Sequence, residues 1–347
     1  MSVANKPDMP SHAIDAASAW VGHEMAARPS EWLETLTADD IEDLESASAY
    51  FLELNSDLKD IDRHNFPLRH FDNHLERLRH KLLHGVGVEV LRGLVASKYS
   101  REFLSVMFCG VGAYIGSARS QNSAGDLLGV VQNTGANAAD TNTRIYQTSA
   151  RQTFHTDSAD VVGLLCLRAA KKGGLSLLVS ATTIYNRMRR DCAELLALLF
   201  DPIATDRRGE IPEGAKPYME IPPLSWHAAQ LTVFYQRQYI DSAQRFQGAM
   251  KLTREHIAAL NKFDQLANDP ELYFSMQLEP GDMQFVYNHT QLHDRTGFED
   301  WTEDGKQRLL LRLWLSVPGD RPLPPCFRER YGSIEIGNRG GIITRST

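Results

Sequence analysis

Arg308-Leu309-Leu310-Leu311-Arg312-Leu313-Trp314-Leu315-Ser316-Val317 alternates with a period of two. Successive side chains of an extended chain point to opposite faces. Leu309, Leu311, Leu313, Leu315 and Val317 therefore share one face, and Arg308, Leu310, Arg312, Trp314 and Ser316 share the other. If the leucines pack an outer core, the arginines face inward or into a groove, and a buried guanidinium requires an anion. A half-exposed strand with solvated arginines is the plain alternative.

Working outward, the turn signal Pro280-Gly281-Asp282 precedes an extended run from Met283 to Asn288, and Val161 to Leu167 is an apolar run suited to a buried strand. Gly85-Val86-Gly87-Val88-Glu89-Val90-Leu91-Arg92-Gly93-Leu94 brackets β-branched residues with glycine and marks entry into a sheet. Strand-like runs continue to Pro318, broken by helical segments at Thr183 to Phe200 and at the stripe Ile257, Leu260, Phe263, Leu266. The first third reads as helical. Thr37 with Asp40 predicts a helix start ahead of Ile41, Leu44, Ala47, Phe51 and Leu54, and Phe71, Leu75, Leu78 and Leu82 form a second stripe. The expected organisation is a helical layer over 1–84, a core over 85–330 and a tail over 331–347 that frays from Arg339 onward. Gln121 to Thr153 is polar and poor in large apolar residues, and reads as a long loop and candidate lid.

Composition narrows the function. The 347 residues are 42% hydrophobic with a net charge of −7, enough for a full core and without a basic stripe for nucleic acid. Cys109, Cys166, Cys192 and Cys326 form no C-x-x-C pair, which speaks against a disulfide framework or a thiolate zinc site. No signal peptide or membrane-spanning stretch is legible, so the expected location is the cytoplasm and the expected partner a small molecule.

Two H-x-D triplets occur. His70-Phe71-Asp72 falls in a helical stripe, where residues two apart do not face each other. His155-Thr156-Asp157 precedes a buried run, where an extended chain puts His155 and Asp157 on one face. A third ligand, His289 or His293, would complete a two-histidine, one-carboxylate triad that leaves metal positions open. The i,i+4 pairs His70/His74 and His80/His84 lack the accompanying glutamate of a zinc helix and read as surface.

Taken in order, the blocks at 85–94, Phe154-His155-Thr156-Asp157-Ser158-Ala159-Asp160, Gly173-Gly174-Leu175-Ser176, Pro280-Gly281-Asp282-Met283, and Leu292-His293-Asp294-Arg295-Thr296-Gly297-Phe298-Glu299-Asp300 with the arginine strand resemble the TauD/TfdA (taurine dioxygenase) family. This is the clavaminate-synthase-like branch of iron(II)/2-oxoglutarate-dependent oxygenases. The resemblance implies a mainly β, double-stranded β-helix (jelly-roll) core with an N-terminal helical layer. It also implies Fe(II), 2-oxoglutarate as co-substrate and O2. Carried over by position, His155, Asp157 and His293 resemble the iron ligands, with His293 preferred for its Leu-His-x-Arg setting. Arg308 resembles the partner of the far carboxylate of 2-oxoglutarate, and Ser176 stands where the family more often has threonine. Arg312 matches an arginine that meets the primary substrate, and Tyr146, Gln147 and Gln152 are the pocket contacts expected from the polar segment. Halogenating relatives replace the carboxylate ligand by a small residue, so Asp157 argues against halogenation.

The expected reaction converts 2-oxoglutarate to succinate and carbon dioxide while oxidising, by default hydroxylating, a small acidic molecule. The alternatives are a metal-dependent cupin-type enzyme that does not use 2-oxoglutarate, and an inactive small-molecule-binding barrel.

Overall fold

The computed structural model describes residues 9–136 and 144–342. Its main sheet holds seven strands: β1 (Leu33–Thr35), β2 (Val88–Arg92), β3 (Ser117–Ala118), β4 (Leu128–Val131), β6 (Val161–Arg168), β9 (Met283–Tyr287) and β11 (Leu309–Ser316). The order is β1-β2-β9-β6-β11, with β3 and β4 both on the far edge of β11. The β1–β2 pair is parallel and the other pairs are antiparallel. A smaller antiparallel sheet holds β5 (Gln152–His155), β7 (Ser176–Ser180), β8 (Tyr273–Met276) and β10 (Gln291–Arg295), in the order β8-β7-β10-β5.

Side-chain alternation stacks these sheets. Val88, Val90, Cys166, Val286 and Leu310 of the main sheet meet Leu178, Phe274 and Met276 of the small one in a shared core. The opposite face of β11, Leu309, Leu311, Leu313 and Leu315, packs on α1 (Ala38–Glu53), α2 (Phe71–His84) and α3 (Arg101–Ile115). The outer face of the small sheet, Leu177, Val179 and Leu292, packs on α4 (Ala181–Asp191), α5 (Ala193–Leu198) and α6 (Arg254–Ala267). Helices thus cover both outer faces, and the space between the sheets holds this apolar core together with the polar side chains of Ser176, Gln284, Arg308 and Arg312.

Several sequence expectations meet the structure unevenly. The Thr37/Asp40 start is a full capping box, with Thr37 N donating to Asp40 Oδ2 at 2.8 Å and Asp40 N donating to Thr37 Oγ1 at 3.2 Å. The helix expected over 183–200 is two helices, because Cys192 leaves helical geometry at φ −159°, ψ 61°. On α6 the buried stripe is His256, Ala259, Leu260, Phe263, Leu266 and Ala267, while Ile257 is exposed. The polar segment contains strand β4, and its residues 137–143 lie outside the described ones. The tail does not fray at Arg339. That side chain is fully buried and the backbone of Gly341 and Ile342 is hydrogen-bonded to Ser158 and Ser120; residues 343–347 lie outside the described ones.

Asp43 ties two of the covering helices together. From α1 its carboxylate accepts from the backbone N–H groups of Arg69, His70 and Phe71, at 3.0–3.1 Å, where α2 begins. Burial alone would raise its pKa, but those donors hold it below the ordinary carboxylate value. Asp43→Ala leaves three donors without their acceptor and should destabilise by about 3 kcal/mol. Urea unfolding at neutral pH checks this, and an unchanged midpoint would refute it.

Candidate active site

The three candidate metal ligands come together at the pairing of β5 with β10. His155 ends β5, Asp157 follows two residues later, and His293 lies directly across from His155 on β10. Asp157 Oδ1 is 3.9 Å from His155 Nε2, and its Oδ2 is 3.7 Å from His293 Nε2. One ligand atom from each of the three lies within 4.8 Å of the others, so one ion can be reached by all. His155 Nδ1 is 2.8 Å from the carbonyl of Thr153. That contact keeps the proton on Nδ1 and makes Nε2 the lone-pair nitrogen, which faces Gln152 Nε2 at 2.9 Å. Burial, with His293 adjacent, pushes the His155 pKa down to about 3, so the imidazole is neutral and ready to ligate. Asp157 is pulled the other way. Burial would raise it, but Arg312 and the two histidines hold it far below the usual range, as a carboxylate.

Neighbouring groups fix the aspartate's position. Trp314 Nε1 donates to its Oδ2 at 2.8 Å and Arg312 Nη1 at 3.3 Å. Asn288 grips the backbone: its Oδ1 accepts from Asp157 N at 2.9 Å, and its Nδ2 donates to the carbonyls of Asp157 and Ala159 at 2.6 and 2.8 Å. Sequence reasoning assigned no role to Asn288; its place at the end of an extended run was its one signal. His289, the other candidate ligand, points elsewhere, into a buried cluster with Asp160, Asp320 and Arg339.

Two hollows flank the triad. The first is lined by His293, Asp157, Ser176, Gln284, Arg295 and Arg308, with apolar side chains between them. Arg308 is buried, its Nη1 has no hydrogen-bond partner among the described residues, and burial lowers its pKa. Gly174, at φ +70°, leaves room for it; a Cβ there would come within 3.1 Å of Arg308 Nε. Ser176 Oγ donates to Gln284 Oε1 at 3.0 Å. Arg295 donates to the carbonyls of Thr148 and Ala150, and burial with Arg308 nearby lowers it to about 10. Gln284 is not singled out by the sequence, and Arg295 enters there only as the arginine of the Leu-His-x-Arg setting. A guanidinium whose Nη1 has no partner among the described residues, in a hollow beside a candidate metal triad, is suited to the far carboxylate of a bidentate keto acid.

The second hollow shares His155, Asp157, Tyr146, Gln152 and Arg312 with the first and adds Arg144, Tyr239 and Arg330. Tyr146 packs under the Arg312 guanidinium at 5.0 Å, and Gln152 Nε2 lies 2.9 Å from His155 Nε2. Arg312 is less free than a substrate anchor would be, since its Nε donates to Gln121 Oε1 at 2.7 Å and its Nη1 reaches Asp157. Gln147 does not reach either hollow; its Oε1 accepts from the Arg144 backbone at 3.3 Å.

The profile described as Taurine catabolism dioxygenase TauD, TfdA family matches residues 54–314. The chain belongs to this TauD/TfdA family. It is an Fe(II)/2-oxoglutarate-dependent dioxygenase, with O2 as oxidant. FR-33289 synthase of Streptomyces rubellomurinus (strain ATCC 31215) is 33% identical over 309 residues, covering 87% of this chain and 91% of that protein. The taurine hydroxylase-like protein SAT17 of Stachybotrys chartarum is 28% identical over 305 residues, covering 85% and 77%. Among solved structures, asparagine oxygenase in complex with Fe(II), 2S,3S-3-hydroxyasparagine and succinate superposes with a TM-score of 0.64 at 18% identity, covering 91% of this chain and 100% of that one. The non-heme iron oxygenase OrfP with Fe, succinate and (3S)-hydroxy-L-Arg gives 0.58 at 15% identity, covering 82% and 93%. Membership in TauD/TfdA decides against the cupin-type and inactive readings. No helix among the described residues is long and apolar enough to cross a membrane.

Proposed function

We propose that this dioxygenase hydroxylates a small acidic organic molecule, with His155, Asp157 and His293 holding iron(II) and Arg308 receiving the far carboxylate of 2-oxoglutarate. Arg308 carries the reading: its Nη1 is buried and unpartnered in the hollow that His293 and Asp157 border. The donor set suits iron, being two neutral imidazoles and one carboxylate with positions left open. When bound, iron couples oxidative decarboxylation of 2-oxoglutarate by O2 to oxygen insertion into a C–H bond. The chain's own work is placement. Ser176, held by Gln284, supports the carboxylate end of the co-substrate, and Val162, Leu164, Val286 and Leu310 keep water from its methylenes. Trp314, Arg312 and Asn288 hold Asp157, while Tyr146, Gln152 and Arg312 face the primary substrate. Hydroxylation is favoured over other oxidations because the asparagine oxygenase and OrfP structures contain hydroxylated amino acids. The two stacked sheets read as the halves of a double-stranded β-helix, and the four free cysteines suit a cytoplasmic setting.

Anaerobic titration of the iron(II)-loaded protein with 2-oxoglutarate tests this. A visible metal-to-ligand charge-transfer band is expected in the wild type. In Arg308→Ala the co-substrate affinity should fall about 10- to 100-fold, with iron binding unchanged. Bound iron without a band in the wild type, or an unweakened band in the variant, would sink the assignment.

A further inference from the structure

The short helix α7 (Arg328–Tyr331) lies beyond residues 54–314, the stretch that matches the family, yet its Arg330 lines the second hollow. Its Arg330 donates from Nε to Ser158 Oγ at 2.5 Å, one residue past Asp157, and its Nη2 stands 3.5 Å from Glu210 Oε2. Arg144, from the polar segment, ion-pairs with the other oxygen of Glu210, and its Nη1 donates to the Tyr239 hydroxyl at 3.2 Å. One carboxylate is therefore shared by two guanidiniums. Its fit is incomplete, since Arg144 Nη2 and Glu210 Oε2 are buried without a well-formed hydrogen bond.

Charge decides what this hollow can take. Apart from the ligands His155 and Asp157, the charged side chains lining it are Arg144, Arg312 and Arg330. Glu210 offsets one of the Arg144/Arg330 pair. Arg312 leans on Asp157, whose charge goes to the metal in the loaded enzyme. Iron(II) with one carboxylate ligand, the 2-oxoglutarate dianion and Arg308 balance among themselves. Two guanidinium charges then remain without a counter-charge in a partly desolvated hollow, and arginine does not escape by deprotonating. A zwitterionic amino acid brings no net charge to such a site. A monoanion leaves one cation uncompensated.

We propose that Arg330, with Arg144 and Arg312, binds a doubly charged oxyanion head on the primary substrate, a phosphonate or phosphate monoester, and that the C-terminal helix is thereby a specificity element of the enzyme. The three-oxygen head matches forked guanidinium donors arriving from separate elements. The inference rests on the oxygenase reading above, and the test separates the two.

Iron(II)-loaded protein with saturating 2-oxoglutarate is titrated anaerobically, by calorimetry and by the charge-transfer band, with n-propylphosphonate, n-propyl phosphate, n-propylsulfonate, L-asparagine and L-arginine. One or both phosphorus probes should bind at least about tenfold tighter than the sulfonate at pH 8, and which one does tells the carbon-linked head from the ester. The gap should narrow below about pH 6, as the head takes up a proton. Arg330→Gln should weaken the favoured probe about 10- to 100-fold while leaving the 2-oxoglutarate band in place, and an intact band shows that the variant is folded. Arg144→Gln should do the same if the buried Arg330 variant does not fold. A band in the wild type together with tighter sulfonate or amino-acid binding, or with unchanged affinity in a folded variant, overturns the proposal alone. No band in the wild type overturns the oxygenase reading and this proposal with it.

Discussion

Asp157→Ala is expected to reduce succinate formation to background and to lower iron(II) affinity by more than the roughly 10- to 100-fold typical for loss of a mere outer-shell partner. Two causes act together. The variant loses the one anionic member of the triad, leaving two neutral imidazoles to hold a divalent ion. It also strands Arg312 Nη1 and Trp314 Nε1, which both donate to Asp157 Oδ2, so two cationic or polar donors face the metal position with no acceptor. The other H-x-D triplet is the control. Asp72 lies in the first turn of α2, where its Oδ1 accepts from the neighbouring Asn73 N, and His70 faces Asp43 instead. Asp72→Ala should therefore keep wild-type turnover. Iron content after desalting and succinate yield per protein measure both variants. Retained iron and turnover in Asp157→Ala would remove the carboxylate from the metal site.

The contrast between the triplets shows what can be read from the chain alone. A period-two strand places alternate side chains on one face by geometry, so β11 was legible residue by residue: Leu309 to Leu315 on the helix side, Arg308, Leu310 and Arg312 on the inner side. The H-x-D motif was legible for the same reason, because spacing and local conformation set its reach. Choosing His293 over His289 needed the resemblance, since both follow the same strand. The structure separates them by register, His293 pairing opposite His155 on β10 while His289 turns away before the strand begins.

What stayed hidden depends on contacts distant in sequence. Arg330 and Arg339 sit in a stretch rich in Gly and Arg, whose composition resembles that of a solvated tail. Their burial is possible because Ser158, Asp160, Asp320 and Glu210 meet them, from positions up to 179 residues away. No local pattern announces such a partner. Asn288 and Gln284 were obscured for a related reason: each acts through backbone or side-chain atoms on another strand, which alternation places on a face without naming the neighbour.

Arg339 gives the second large expected effect, one of stability. Its Nε donates to Asp160 Oδ1 at 2.7 Å and its Nη2 to Asp320 Oδ2 at 2.7 Å, while His289 Nε2 lies 2.9 Å from Asp160 Oδ1. All four side chains are buried. Removing the guanidinium in Arg339→Met leaves two carboxylates facing each other away from water, and breaking a buried pair from one side costs about 3–5 kcal/mol. The pH dependence tells this from simple loss of packing. Burial would raise the Asp160 pKa, but His289, Arg339 and the Val317 N–H hold it below the ordinary carboxylate value. A depressed folded pKa contributes stability above the unfolded value of about 3.9 and loses it as pH falls. In the variant that pKa moves up, so the deficit against wild type should be largest near neutrality and shrink as acid protonates the stranded carboxylates. Urea midpoints at pH 7 and pH 4.5 measure it, and a deficit independent of pH would mean that Arg339 serves by its volume and not by its charge. Because Asp160 stands three residues from Asp157 in the segment gripped by Asn288, iron affinity in Arg339→Met should fall with stability.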